Sequence, residues 1–294
     1  MPIHKIWYPS CREFGRKKLI RLKETEYREI VCYLREHYGI NLDKKKVLIE
    51  CRMTRELEKY GISSYERYLE LLRRDPTGKM AEGMVNRLTT NYTYFVREQE
   101  HFRLLAEKIL PELTARRRYG VLSVWCAGCS TGEECYTIAM ILQEYRGCME
   151  QSLNSRIMAT DISEEALGKA RRGVYSAREL SVLPPGWREK YFADRDGGGF
   201  RAQDSLKSNI RFLRRNLLEP VQDRFDIIFC RNVMIYFDKE SRVKLIRLLE
   251  NSLNPGGYLF TGHAELLTRE ETVLENLYPA VYRKRDAIEK EQGN

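Results

Sequence analysis

The sequence predicts an α/β protein in which a small helical domain precedes a parallel, doubly wound sheet. Residues 24–88 carry apolar side chains at helical spacing, whereas short apolar runs alternate with helical stretches after about Tyr119. The chain has 294 residues, which is enough for two domains that each bury a core. These observations together favour a two-domain, water-soluble α/β architecture.

Four helices are predicted in the first part of the chain. In the first helix, apolar and aromatic residues recur from Tyr27 to Tyr38 at one-face spacing, and Gly39 ends the pattern. Ser63 and Glu66 have the spacing of a capping box before the third helix. The other three helices are expected at about Asp43–Tyr60, Tyr65–Leu72 and Met80–Leu88.

Five strands and three helices are predicted in the second part. Helices separate the strands, so the strands are expected to be parallel. A ligand of such a sheet lies beyond the carboxyl ends of the strands, and the loops there form the candidate site. The predicted strands are Val121–Trp125, Arg156–Ala159, Ile210–Leu213, Phe225–Cys230 and Tyr258–Thr261, and the predicted helices are Glu133–Tyr145, Glu164–Arg172 and Lys239–Leu253.

The charge balance and the length of the apolar runs limit which partners and which cellular location are expected. Lys and Arg total 51 against 42 Asp and Glu, a formal charge of +9. This favours an acidic partner without distinguishing nucleic acid, a membrane surface and an acidic protein, and the run Arg116–Arg118 is also typical of a solvated face. The N-terminal segment lacks the apolar centre of a secretory signal, no run is long enough for a membrane span, and the scattered cysteines suggest no disulfide framework. A cytoplasmic location is therefore expected.

The loop after the first predicted strand, Cys126–Glu134, is rich in small residues. Gly128 and Gly132 allow a ligand to approach the backbone, but their spacing is neither the dinucleotide fingerprint nor a Walker loop. Glu133 and Glu134 would repel a phosphate and could attract a cationic group such as an α-amino group. The alternative is an ordinary helix N-terminus whose acidic residues match the helix dipole.

Three polar residues follow other predicted strands. Asp161 ends the second strand, where an acidic residue commonly accepts hydrogen bonds from ribose hydroxyls; the alternative role of capping the next helix can be filled by Ser163. Asn216 and Asn232 could recognise an adenine edge or a carboxylate, although each could also be a turn residue. The segment at Asn232 lacks the Pro-Pro-aromatic pattern common in methyltransferases of exocyclic amines, which disfavours a nucleic-acid base as substrate.

No metal site is predicted. Cys126, Cys129 and Cys135 lack the second pair that a zinc motif requires. His101 and His263 lie near the polar segments described here, but no histidine pair has metal-ligand spacing.

Six segments stand in one order along the chain: Asn91–Arg97, Cys129–Tyr136, Asp161–Ile162, Asn216–Leu218, Phe229–Asp238 and Gly262–Glu265. Together they resemble the CheR-type chemotaxis receptor methyltransferases, over about Leu22 to Arg283. The resemblance implies a four-helix N-terminal domain (residues 20–90), a linker with cofactor contacts (91–118) and a Rossmann-like methyltransferase domain (119–286) with a small β-subdomain (174–208). Val96 and Cys135 depart from the Phe and Pro that relatives often have, and small packing effects are expected from them.

The resemblance further implies the reaction. A methyl group would pass from S-adenosylmethionine to glutamate side chains of chemotaxis receptors, giving glutamyl methyl esters and S-adenosylhomocysteine. Arg97 and Tyr236 would stand nearest the methyl group as candidate catalytic residues. The implied cofactor contacts are Asn91, Thr93, Arg97, Glu133, Asp161, Asn216, Leu217, Asn232 and Val233.

Two alternatives remain open at this point. One is a methyltransferase of RNA or a small molecule, which the net charge favours and the missing Pro-Pro pattern disfavours. The other is a cofactor-binding scaffold without activity, which the intact polar residues Asn91, Arg97, Glu133 and Asp161 disfavour.

The surfaces expected to meet a receptor are also predicted. Arg52, Arg55 and Lys59 lie within about 60° on one helix face and form a basic ridge for the acidic receptor helices; the alternative is a solvated face. The β-subdomain turn, Asp196–Gly199, supplies three glycines and no pocket-forming side chains. We therefore expect that the β-subdomain does not bind a pentapeptide at the receptor C-terminus and so does not tether the protein to the receptor. We also expect no nucleic-acid partner and no membrane insertion.

Overall fold

The computed structural model describes residues 20–89, 91–116, 120–148 and 154–286. The chain divides into two compact units, one built from residues up to Ile30 with Asp43–Leu88 and the other from Val31–Leu42 with the residues from Thr89 onwards. Arg117 and Arg118 of the basic run, and the N-terminal segment considered for a secretory signal, lie outside the described residues. Within the described ranges, every helix is too short or too polar to span a bilayer.

The helices of the first unit follow the apolar pattern closely. They are α1 (Glu24–Tyr38, whose last part belongs to the second unit), α2 (Lys46–Lys59), α3 (Tyr65–Arg74) and α4 (Lys79–Leu88). α2 begins later than predicted because Lys44 has a left-handed backbone with φ of 60°. The capping box predicted at Ser63 is wrong. Ser64 is the N-cap and accepts the Arg67 N–H at 3.2 Å, and an arginine at that position cannot return a hydrogen bond.

The core of the first unit contains a carboxylate that is almost completely buried. Glu56 of α2 is 1% exposed and lies 3.2 Å from the Arg87 guanidinium. Gly83 of α4 makes room for it, because a Cβ there would lie 2.0 Å from the Glu56 carboxylate. The surrounding buried residues are Ile49, Met53, Leu57, Tyr65, Tyr68, Leu69, Leu72, Met80, Met84 and Val85.

The second unit contains a seven-stranded mixed sheet with the order β6-β2-β1-β7-β8-β10-β9. The first five strands in this order are parallel, as predicted. β10 and β9 are antiparallel, and the sequence pattern did not predict them. The strands are β1 (Val121–Ala127), β2 (Asn154–Asp161), β6 (Ile210–Arg214), β7 (Phe225–Cys230), β8 (Leu253–Thr261), β9 (Glu275–Tyr278) and β10 (Val281–Arg283).

Helices cover both faces of this sheet. Leu122, Val124 and Cys126 of β1 point into one apolar core, and Trp125 and Ala127 point into the other. Burial on both faces is the property that makes parallel strands continuous apolar runs. The helices are α5 (Gln99–Leu104), α6 (Leu110–Arg116) after a π-helical turn (Leu105–Ile109), α7 (Glu133–Gly147), α8 (Glu164–Arg172) and α12 (Lys239–Ser252), with a 3₁₀ turn at Met234–Tyr236.

A three-stranded antiparallel sheet with the order β3-β5-β4 lies between α8 and β6 in the chain. Gly197, Gly198 and Gly199 form the β4–β5 turn with φ between 84° and 96°, a region that residues with a Cβ rarely adopt. The elements of this segment are β3 (Val174–Tyr175), α9 (Ala177–Leu180), α10 (Trp187–Tyr191), β4 (Phe192–Asp194), β5 (Phe200–Ala202) and α11 (Asp204–Lys207).

Candidate functional site

The second unit has a cleft at the carboxyl edge of its sheet. Strand β1 lies between β2 and β7, so the strand order changes direction at β1. Open α/β sheets bind ligands at this position. The cleft has a volume of about 990 Å³ including its open mouth. Its walls come from the loops after β1, β2, β6 and β7, from the segment 89–97 and from the end of α1.

Asp161 holds two of these loops together. Its carboxylate accepts the Ser130 N–H at 2.7 Å and the Ser163 N–H at 2.9 Å, and it lines the cleft. Burial raises the pKa of Asp161, and the two backbone N–H groups partly offset this effect. Ser163 caps α8 by accepting the Ala166 N–H, so Asp161 is not needed for that role.

The acidic pair at the start of α7 is split between the interior and the cleft. Glu134 lines the cleft, whereas Glu133 is 2% exposed, is absent from the cleft lining and accepts the Thr131 hydroxyl at 2.7 Å. Neighbouring helix residues differ by about 100° in direction, so only one of the two can face the ligand. Cofactor contact by Glu133 therefore stays a prediction, and Glu134 is the carboxylate that the cleft presents.

A buried arginine connects the cleft to the segment 91–98. The Arg231 side chain is 1% exposed and lies 3.1 Å from Glu134 and 3.2 Å from Glu98. It also donates to the backbone carbonyl of Arg97. Burial raises the pKa of Glu134, and the Arg231 charge offsets part of this effect. At Glu98, burial would also raise the pKa, but Arg231 and the two nearby histidines outweigh it, so the pKa of Glu98 is lowered.

The loop after β7 is held by a second buried carboxylate. Glu265 is 0% exposed and accepts N–H groups from Asn232 at 2.6 Å, Gly262 at 2.9 Å and Ile235 at 3.1 Å. These bonds fix Asn232 with a φ of 59°, and the adjacent Val233 packs so closely on Gly128 that a Cβ there would lie 2.4 Å away. Asn232 and Val233 both line the cleft.

Arg97 and Tyr236 line the same cleft from different segments. The Arg97 guanidinium donates to the Tyr92 carbonyl at 2.9 Å and lies 5.8 Å from the Tyr94 ring centre. Tyr236 belongs to the 3₁₀ turn, and its carbonyl accepts the Asn41 N–H at 2.8 Å.

The remaining predicted cofactor contacts, apart from Glu133, also line the cleft. Asn91 accepts the Ser130 hydroxyl at its carbonyl, 3.1 Å away. The Asn216 amide donates to the His37 carbonyl at 2.9 Å and accepts the Leu218 N–H at 3.0 Å, so both of its polar atoms already have protein partners. Thr93 and Leu217 complete the set.

The predicted receptor-binding residues belong to the first unit. Arg52 of α2 donates to the Leu88 carbonyl at 3.0 Å, and Lys59 lies 3.5 Å from Glu56. Arg55, on the same helix face, is exposed. Arg52 and Lys59 therefore also serve contacts within the helical unit.

The cleft fits a nucleoside joined to an amino acid. Asp161 offers a buried carboxylate for ribose hydroxyls, and Glu134 offers a second one for a cationic group. Ile162, Leu217 and Phe102 supply apolar wall of the kind that an adenine ring packs against.

Three residues that hold the cleft together were missed from the sequence: Glu98, Arg231 and Glu265. Each lies beside or inside a segment that stands out in the sequence, but only the folded chain shows which groups these residues contact. A buried arginine between two carboxylates has no local sequence signature.

Comparison with known proteins agrees with this geometry. Residues 25–89 match the family model described as CheR methyltransferase, all-alpha domain, and residues 91–282 match CheR methyltransferase, SAM binding domain. The chain is 36% identical over 272 residues to the chemotaxis protein methyltransferase of Borreliella burgdorferi, covering 90% of this chain and 96% of the relative. It is 38% identical over 253 residues to that of Salmonella typhimurium, covering 84% and 85%.

The matched models account for both parts of the chain, and the second of them describes the domain that contains the cleft. S-adenosylmethionine is accordingly the cofactor of this domain. The chain belongs to the CheR methyltransferase family.

Proposed function

We propose that this protein transfers a methyl group from S-adenosylmethionine to glutamate side-chain carboxylates of chemotaxis receptors. The observation that carries the proposal is the position of Arg97, whose guanidinium lines the same cleft as Asp161 and Glu134. A guanidinium has five N–H donors, so Arg97 can hold the Tyr92 carbonyl and also bind a carboxylate in a forked manner. Relatives named chemotaxis protein methyltransferases support the receptor as substrate.

The cofactor supplies an electrophilic methyl group on a sulfonium. The acceptor carboxylate needs no general base, because glutamate has an ordinary pKa of about 4.3 and is ionised at neutral pH. The protein must therefore orient and desolvate the acceptor, and Arg97 is suited to orient it. Tyr236 can donate a hydrogen bond or pack its ring near the sulfonium.

The direct test is incubation of purified receptor signalling domains with labelled S-adenosylmethionine, followed by mass spectrometry. We expect label on glutamate side chains that is released by mild base, because methyl esters hydrolyse whereas methylated amines do not. RNA incubated in parallel should stay unlabelled and should not shift on a gel at physiological salt. Label on RNA, or none on any receptor domain, would disprove the proposed substrate.

Asp161→Ala is expected to weaken cofactor binding by roughly 1.5–3 kcal/mol, the range for hydrogen bonds to charged groups. Calorimetry with S-adenosylhomocysteine measures it. The change also removes the acceptor of the Ser130 and Ser163 N–H groups, so Ser163→Ala is the matched control that loosens the same turn but keeps the carboxylate. Equal affinities of wild type and a folded Asp161→Ala variant would restrict Asp161 to a structural role.

The basic ridge on α2 is proposed to dock the acidic receptor helices. The double charge reversal Arg55→Glu with Lys59→Glu is expected to raise KM for the receptor and reduce its salt dependence, with cofactor affinity unchanged. Arg52 is kept because it holds the Leu88 carbonyl. Charge reversal of the exposed Arg67 and Arg73 on α3 is the control. If the α2 reversal left the salt dependence of receptor methylation unchanged, the ridge would be only a solvated helix face.

We propose that the receptor is recognised without a C-terminal peptide tether. The edge strands β3 and β4 have only two and three residues, which gives an added peptide strand few backbone partners. The glycine turn contributes no side chains for a pocket. Titration of receptor C-terminal pentapeptides by calorimetry is expected to show no binding, and specific micromolar binding would overturn this prediction.

A further inference from the structure

Three potential metal ligands meet at the start of α5. Glu98, His101 and His263 each offer one ligand atom, and these atoms all lie within 4.8 Å of one another. The His101 and His263 ring centres are 4.7 Å apart, and His101 Nδ1 lies 3.4 Å from Glu98 Oε2. His263 is 165 residues from Glu98 in the chain, which explains why the sequence spacing of the histidines predicts no metal site.

The buried member of this cluster lacks the hydrogen bonds that burial demands. His101 is 2% exposed; the Pro279 carbonyl lies close to its ring, but neither ring nitrogen makes a hydrogen bond of normal geometry to the described residues. Buried polar atoms normally have a partner, and an orphaned one calls for an unseen ligand, ion or water. The Phe260 ring lies on another side of His101, with 5.5 Å between ring centres.

Apart from its ion pair with Arg231, the Glu98 carboxylate has only long hydrogen bonds. Glu98 Oε1 accepts from Asn232 Nδ2 at 3.4 Å and from the His263 N–H at 3.5 Å, both long contacts. Glu98 Oε2 makes no hydrogen bond of normal geometry to a described residue, although Arg231 lies 3.2 Å away. The carboxylate therefore has capacity for a further cationic partner.

We propose that Glu98, His101 and His263 bind a first-row divalent transition ion of the Zn²⁺ type. Imidazole and carboxylate ligands suit such ions. An ion can be placed within about 2.8 Å of three atoms that are at most 4.8 Å apart, so a bond length of about 2.0–2.2 Å requires movements of less than about 1 Å. His263 is exposed and free of strand or helix, which allows this adjustment.

Access and charge set the character of the site. His101 and His263 both line a solvent-open depression of about 1000 Å³. Two acidic and two basic side chains also line it: Glu100, Glu107, Arg103 and Lys108. Three protein ligands leave a fourth position for water, as in sites that exchange ligands. Arg231 opposes a cation near Glu98, so binding is expected to be moderate in strength.

The test uses the full chain without cofactor or receptor, so its outcome is independent of the proposed methyl transfer. Titration with Zn²⁺ by calorimetry is expected to show one equivalent per chain. His263→Ala should weaken Zn²⁺ binding at least about tenfold, because replacing even a residue that only hydrogen-bonds to a metal ligand commonly has an effect of this size. His37→Ala, which removes an exposed histidine outside the cluster, should bind as wild type. Glu98→Gln is a second variant that keeps both histidines.

Co²⁺ provides the spectroscopic check, because the chain has exposed cysteines such as Cys32 and Cys148 that also bind metals. The visible spectrum should report nitrogen and oxygen ligands without a thiolate charge-transfer band. A thiolate band, equal Zn²⁺ affinity of wild type and His263→Ala, or no Zn²⁺ binding by wild type would overturn the proposal.

Discussion

Replacement of Arg97 by lysine is expected to lower the rate of methyl transfer on the order of 100-fold, the scale on which a small misplacement of reacting groups acts. An ammonium cannot hold the Tyr92 carbonyl and also bind a carboxylate with a planar fork. The variant should fold and still bind cofactor. Initial rates with labelled S-adenosylmethionine, combined with calorimetric cofactor affinity, separate the two effects.

Arg103→Lys is the matched control for this substitution. Arg103 lies on α5, is 63% exposed at its side chain and pairs with Glu100, so its replacement should leave the rate unchanged. Turnover of Arg97→Lys near that of wild type would exclude Arg97 from orienting the acceptor.

Arg231→Met is expected to destabilise the fold by about 3–5 kcal/mol, the cost of leaving buried charges without their partner. Both Glu98 and Glu134 would lose the same guanidinium, and the Arg97 carbonyl would lose its donor. The free energy of unfolding from denaturant titration measures the effect. Adding Glu134→Gln to Arg231→Met should recover part of the loss, because one of the two uncompensated charges is then absent.

The destabilisation of Arg231→Met should depend on pH. Burial already raises the pKa of Glu134, and without Arg231 this folded-state pKa rises further above the unfolded value. A group with a raised folded pKa contributes stability below its unfolded pKa and loses it as pH rises through the folded pKa. The difference from wild type should therefore be smaller at mildly acidic pH than at pH 8. A difference that is constant across this range would contradict the role of Arg231 as the countercharge.

The arrangement around Arg231 explains how the segment 91–98 is coupled to the sheet. Asn91 is tied to the loop after β1 through Ser130, and Arg97 is tied to the loop after β7 through Arg231. A segment that would otherwise be a linker therefore forms one wall of the cleft. Its candidate catalytic arginine gains its position from contacts at both ends of the segment.

The sequence by itself determined the elements with strong local signals. α1 and α8 have the predicted bounds, because apolar periodicity, Gly39 and the Ser163 cap act within a few residues. β7 likewise has the predicted bounds, because apolar residues occupy all of its positions except Asp226, as expected of a strand buried on both faces. The motif order was sufficient to recognise the family, which the matched models confirm.

Tertiary structure decided what depends on residues far apart in the chain. The antiparallel strands β9 and β10 have only four and three residues, and β9 is exposed throughout whereas β10 is mainly buried. Neither strand therefore has a clear periodic signal, and their addition beyond β8 is not visible in the sequence. The choice of Glu134 over Glu133 at the cleft depends on how α7 packs, since both residues carry the same charge at the same helix end. The clusters of Arg231 with two carboxylates and of His101 with His263 form only when segments at least 97 residues apart in the chain meet at one edge of the sheet.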